Sequence, residues 1–289
     1  MENIFLEKTP GKDTDKQLAI SAKGGNREAM DTLISRHRDW IYNIAFRMTG
    51  NIADAEDITQ EILVKIITRL ATFEGHSAFR TWVYRIVKNH VLNMKRSAGE
   101  RIFESFSAHE ELLHRASNKA ANSLADTVVS EVPSVEDSRL VQETRALCCA
   151  GMLLCLDRQQ RLVFALGAIF DVSSDVGAEI METTAVNFRK LLSRARHQLL
   201  NYMNGKCSLI NPQNKCSCAR KTRAAIAAGF VDRDKLVFTD ARQQKVRDII
   251  KSHPRDVPAS ISRCIENLYR EHPFIKSPKY AELLNIGAE

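Results

Sequence analysis

An all-α protein is predicted, on three observations. Apolar residues recur at spacings of three and four along most of the chain. Strand-like alternation is almost absent. Turn formers are scarce, with 12 Gly and 7 Pro among 289 residues. That length predicts two domains, or three. Hydrophobic residues make up 44% and charged residues 27%, which excludes wholesale disorder. No apolar run approaches the roughly 18 residues of a membrane span. The opening stretch MENIFLEKTPGKDTDKQ lacks the apolar centre of a secretory signal. A cytoplasmic chain with no membrane partner is therefore expected. Its seven cysteines then point to packing, metal ligation or redox chemistry rather than a disulfide framework.

Helices are predicted first over 18–22, 29–48 and 53–70. The second keeps Met30, Leu33, Ile34, Ile41, Ile44 and Ala45 on one side. The third does the same with Ile58, Ile62, Ile66 and Ile67. A fourth, over 79–95, carries Phe79, Trp82, Val83, Ile86 and Val87 as its apolar side, with Ser77 as candidate cap. These close a domain at 15–96. Residues 97–139 change character, and the stretch to 140 holds eight acids against four bases. It reads as an acidic linker, with one helical turn near 108–116. A second helical domain follows at 140–204. A helical C-terminal extension covers 205–289, with helical spacing returning at 241–252 and 261–270.

The overall charge of +7 hides strong local polarity. Residues 65–96 carry seven bases against Glu74 alone, and residues 184–223 carry nine bases and no acid. Two basic helical blocks joined by an acidic tether suggest two contacts on one polyanion, although charge runs are also ordinary solvated faces. The first block opens with a Gly-containing loop, Phe73 to Ser77, flanked by aromatics and followed by Arg and Lys. Such a loop can hold an unstacked base, while Phe79 and Trp82 equally suit a core.

The second block carries a helix-turn-helix pattern. Ser173 and Ser174 can cap a short helix through Met181, and Ala178 is small enough for close helix packing. Glu182-Thr183-Thr184 forms the turn, with Thr184 as the next cap. Phe188, Leu191, Leu192, Ala195 and Leu199 supply the inward face of the second helix. Asn187, Arg189, Lys190, Ser193, Arg194 and Arg196 supply the outward one, as reading a major groove requires.

Together these segments resemble an extracytoplasmic-function (ECF) sigma factor of bacterial RNA polymerase. The stretches Arg47 to Asn51, Asp54 to Glu61 and Phe79 to Asn89 look like family region two. Leu156 to Phe164 and Ser193 to Arg196 look like region four. The resemblance implies a region-two bundle and a region-four helix-turn-helix. It implies a non-enzymatic subunit that binds core RNA polymerase and promoter DNA, with an anti-sigma factor as a further candidate partner. It places Asp57, Gln60 and Glu61 at the polymerase contact. It places His76, Ser77, Phe79, Arg80, Arg85, Lys88 and Asn89 at the minus-ten element. Asn187, Arg189, Lys190, Ser193, Arg194 and Arg196 fall at the minus-thirty-five element. Three departures stand out. Asp157 replaces the usual proline, Glu182 sits where glycine commonly eases the turn, and Leu191 replaces an often polar residue.

In the extension, Cys207, Cys216 and Cys218 lie within twelve residues. With His197 they would make a four-ligand zinc set, although no cofactor is required by the function implied. Redox-active thiols and plain packing are the other readings. Neighbouring Lys206, Lys215, Arg220 and Lys221 would favour thiolates. Cys148, Cys149, Cys155 and Cys264 read as core. Rival functions are a helix-turn-helix regulator acting without polymerase, a metal- or redox-responsive DNA-binding protein, and a nucleic-acid enzyme with a Cys/His metal centre. No phosphate loop or nucleophile elbow supports an enzyme.

Overall fold

Two asparagines punctuate the first helices. Asn26 Oδ1 accepts the Ala29 N–H and Asn51 Oδ1 accepts the Asp54 N–H, each at 3.0 Å. Between the caps, Gly50 takes the left-handed backbone (φ 67°) that ends a helix without Cβ strain. The resulting elements are α1 (Thr14–Lys23), α2 (Arg27–Thr49), α3 (Ile52–Arg69) and α4 (Phe79–Asn93). The computed structural model describes residues 14–123, 135–239, 244–245, 261–270 and 273–274. Side chains 119–137 and 261–264, Cys264 among them, lie outside that description. Ser77 does not cap α4: the helix starts after Ala78 with no side-chain cap, and Ser77 Oγ turns to the Ala78 carbonyl.

A buried relay fastens α1 to α2. Trp40 Nε1 donates to His37 Nδ1 at 2.9 Å, and His37 Nε2 lies 3.0 Å from Asp15 Oδ2. Indole N–H can only donate, so the imidazole proton sits on Nε2 and points at Asp15. Burial would raise the Asp15 carboxyl, but His37 and Arg36 outweigh it and bring it down to about 2. Burial likewise holds His37 below its ordinary 6.5, against the pull of Asp15. The pair is a carboxylate and a neutral imidazole. Because the unfolded chain takes up a proton at His37 more readily, stability falls as pH drops below 6.5. The expected slope from this residue is up to about 1.4 kcal/mol per pH unit. Urea denaturation at a series of pH values, with the His37 ring followed by NMR, checks it.

The described parts of the acidic segment are helical rather than extended: α5 (Ala98–Ile102), α6 (Phe106–Ser123) and the start of α7 (Val135–Leu154); residues 124–134 lie outside the described residues. Its few apolar residues find partners that composition alone does not reveal. Ala116 packs with Ala224 of α11 (Cys218–Ala227), His109 Nδ1 meets Tyr202 Oη at 2.8 Å, and Lys221 Nζ bonds Ser117 Oγ at 2.9 Å. Glu110 pairs with Lys206. The acidic segment thus lies against the basic end of the second block.

The predicted helix-turn-helix domain consists of α8 (Arg158–Phe164), a π-turn (Ala165–Ile169), α9 (Ser174–Met181) and α10 (Ala185–Lys206). Asp157 serves as the cap that proline cannot be, accepting the Gln160 N–H at 2.9 Å. The two helical domains share one apolar core, in which Trp40 and Phe79 of the first belong with Phe164, Phe170 and Phe188 of the second. In the extension, α12 (Ile261–Arg270) forms where expected. At 244–245, inside the expected helix 241–252, the chain instead pairs antiparallel with 273–274 as β1 and β2. The rest of that predicted helix lies outside the described residues.

Candidate nucleic-acid interface

Helix α3 carries the three residues expected at the polymerase contact. Asp57 and Glu61 are exposed and Gln60 half-buried. One and two turns further along, Val64 and Ile67 remain 47% and 37% exposed. Spacings of three and four put all five on one side of the helix. Glu61 also lies 3.5 Å from His90 Nε2, while Lys65 Nζ donates to His90 Nδ1, tying α3 to α4. Burial and the Lys65 charge hold His90 below its usual range, against Glu61.

The minus-ten set divides. His76 and Asn89 are exposed, and Ser77 and Arg80 half-buried. The loop they share is held from behind by α1, where Lys16 Nζ donates to Gly75 O and Lys23 Nζ to Phe73 O, each at 3.0 Å. Sequence reading missed those two lysines. Their signal was the seven-residue spacing that puts both on one face of α1. Phe79 is not available to a base. It is 1% exposed and packed on Phe73, Trp82 and His37. Its place at a loop–helix junction suited either role, and the apolar periodicity of α4 decided it. Arg85 and Lys88 face the C-terminal end of α9: Arg85 Nη2 donates to Glu179 Oε1 at 3.1 Å, and Lys88 Nζ to Glu182 Oε2 at 2.7 Å.

The helix-turn-helix forms as its capping residues dictate. Ser173 Oγ accepts the Val176 N–H and Thr184 Oγ1 the Asn187 N–H. Phe188, Leu192, Ala195 and Leu199 are buried, and Leu191 is half-buried against the same core. Asn187, Arg189, Lys190, Ser193 and Arg194 stand exposed. Arg196 is half-buried and its Nε lies 2.6 Å from Glu266 Oε1 of α12. Close packing depends on Gly177 as well as on Ala178: a Cβ at 177 would meet the Phe188 ring at 2.4 Å. Glu182 takes the left-handed conformation itself, at φ 53°.

The cysteine set does not assemble as expected. Among the described residues, no three of His, Cys, Asp and Glu come together in a way that could hold a metal ion. His197 lies exposed along α10. Cys207 and Cys216 instead join by an isolated parallel bridge, with Ser208 N–H donating to Cys216 O at 3.0 Å. The thiolate expectation reverses too. Burial pushes the Cys207 thiol up, against the backbone N–H groups of Leu209 and Ile210, and Cys218 up to about 11, against the Arg145 charge. Alkylation of Cys218 at pH 8 should run roughly a hundredfold slower than for a free cysteine and become ordinary in urea. Mass-mapped iodoacetamide labelling measures this.

A basic helix in a helical bundle and a capped helix-turn-helix, carried on one core, are features shared with DNA-binding proteins. Comparison with known proteins makes the class specific. Residues 33–101 match the Sigma-70 region 2 family. Over 178 residues the chain is 30% identical to RNA polymerase sigma factor YlaC of Bacillus subtilis, spanning 62% of this chain and 94% of that one. It is 27% identical over 187 residues to the ECF RNA polymerase sigma factor SigW of the same organism, spanning 64% and 94%. A solved structure of CnrH in complex with the cytosolic domain of CnrY aligns at 22% identity. That alignment covers 66% of this chain and 97% of CnrH, with a TM-score of 0.47. The chain belongs to the ECF RNA polymerase sigma factors, the family that initiates transcription. No helix among the described residues is long and apolar enough to cross a membrane.

Proposed function

We propose that this sigma factor docks on core RNA polymerase through the exposed side of α3, built from Asp57, Gln60, Glu61, Val64 and Ile67. The observation that carries the reading is the pairing of exposed acids with exposed aliphatic side chains on one helix side. Isolated exposed apolar residues are commonplace, but a row of them beside like charges suits a protein partner better than solvent. His76, Ser77, Arg80 and Asn89 then face the opened minus-ten strand. Arg85 and Lys88 join them when region four moves away. Phe79 acts from the core by fixing the start of α4. The first turns of α10, with Asn187, Arg189, Lys190, Ser193 and Arg194, take the minus-thirty-five groove, where Arg196 adds a phosphate contact once released from Glu266.

Charge reversal at Asp57 and Glu61 together should weaken core binding at least about tenfold, or about 1.4 kcal/mol. The helical circular dichroism should stay unchanged, since both side chains are exposed. Titration of labelled protein with purified core polymerase, read beside run-off transcription, is the measurement. Unchanged affinity removes the assignment.

A further inference from the structure

We infer that this chain closes its own promoter-reading surfaces with carboxylates, Glu179 and Glu182 covering α4 and Glu266 on α12 covering α10. The inference rests on the sigma-factor reading of α4 and α10 and adds its regulation. Three of the basic residues assigned to DNA, Arg85, Lys88 and Arg196, are each paired with an acid from a distant part of the chain. A carboxylate and a phosphate compete for the same cation, so each pair subtracts one contact from DNA binding.

Exposed ion pairs alone would be weak. Here sterics add to charge. The Lys88 side chain is only 8% exposed beneath Glu182, so a phosphate cannot approach it while α9 is seated. Glu182 also holds a left-handed backbone that costs a non-Gly residue about 1 kcal/mol or more, and it is the residue that reaches Lys88. A glycine there would relax the turn and lose the pair.

Helix α12 is bolted to the same scaffold. Ile265 and Tyr269 are buried, and the Tyr269 hydroxyl donates to Cys149 O at 2.9 Å. Its ring meets Phe164 edge-on at 5.2 Å. Arg270 Nε donates to Ala168 O at 2.9 Å, and its Nη2 lies 3.3 Å from Asp171. These anchors fix α12 so that Glu266, one turn before Arg270, faces Arg196. The exposed side of α3 stays open in this arrangement. Polymerase can therefore engage the closed form, whereas DNA must wait for α9 and α12 to lift.

The test compares full-length wild-type protein with Glu179→Gln/Glu182→Gln/Glu266→Gln. The control carries Glu28→Gln, Asp31→Asn and Glu111→Gln, exposed acids elsewhere with the same charge change. The probes are a fluorescein-labelled mixed-sequence duplex and a labelled oligo-dT, titrated without polymerase over a salt series. The closure variant should bind at least about tenfold more tightly than the control, with a steeper salt dependence as the three cations reach phosphate. Carbodiimide should also join Lys88 to Glu182 in the free wild-type protein, and the joined protein should lose duplex binding. Closure variant and control binding alike, or joined protein binding DNA as well as unjoined, overturns the inference. Run-off transcription with core polymerase separates this from the underlying reading. Failure of wild type and variant alike to initiate would count against the sigma-factor assignment of α4 and α10, whatever the binding result.

Discussion

Glu100→Ala should destabilise the protein by about 3–5 kcal/mol, the usual cost of removing one partner from a buried ion network. Glu100 is 5% exposed and accepts from Arg158 Nε and Nη2 at 2.8 Å, from Arg161 Nη1 at 3.0 Å and from the Ser97 N–H at 3.1 Å. Burial would raise its carboxyl, but Arg158, Ser97 and Arg161 together bring it down to about 2. The two arginines reach onward. Arg158 donates to the Leu92 and Lys95 carbonyls at the end of α4. Arg161 donates to Leu154 O and Leu156 O on its own side and to Met48 O at the end of α2. Truncation leaves Arg161, 3% exposed, without its counter-charge and removes the capping box of α5. Glu100→Gln keeps an acceptor and the side-chain volume, so it should fall between wild type and Ala. Urea denaturation at pH 7 measures all three. The network also sutures region two to region four, so the Ala variant should lose the Lys88–Glu182 carbodiimide product as well as stability.

Glu100 illustrates what a sequence leaves hidden. In composition it is one of eight acids in a segment that reads as a tether. Its role appears only when two arginines some sixty residues later fold against it. The helices of region two were legible because periodicity is a local signal; their caps Asn26 and Asn51 are local too, but were not picked out. The Ser173 and Thr184 caps of the helix-turn-helix were legible as well. The fate of Arg85, Lys88 and Arg196 was not legible, since a cation pattern suits a carboxylate as well as a phosphate. Glu182 stood out as an odd residue in a turn, and its backbone angle bears that out. Its partner lies 94 positions away, beyond any local reading. Phe79 failed as a DNA contact for a related reason: its periodicity already placed it in the core, and the loop beside it drew it to the surface.

Phe188→Ala should cost about 3–5 kcal/mol and abolish use of the upstream promoter element, although Phe188 touches no DNA. The side chain is fully buried and its ring occupies space that two glycines leave open. A Cβ at Gly177 would sit 2.4 Å from the ring, and one at Gly167 3.3 Å from it. Removing the ring takes from α10 the fulcrum that sets its angle to α9. The polar face of Asn187, Arg189, Lys190 and Ser193 then no longer meets the groove as a unit. Thermal melts give the stability change, and run-off transcription from templates with and without an upstream element gives the functional one. A volume exchange tests the geometry further. Gly177→Ala alone overpacks the site and Phe188→Leu alone underpacks it, each by about 1–3 kcal/mol. Together they restore volume across one contact, so the double variant should be more stable than the two single losses added. Strict additivity would mean that ring and glycine do not meet in solution and that another contact sets the angle of the recognition helix.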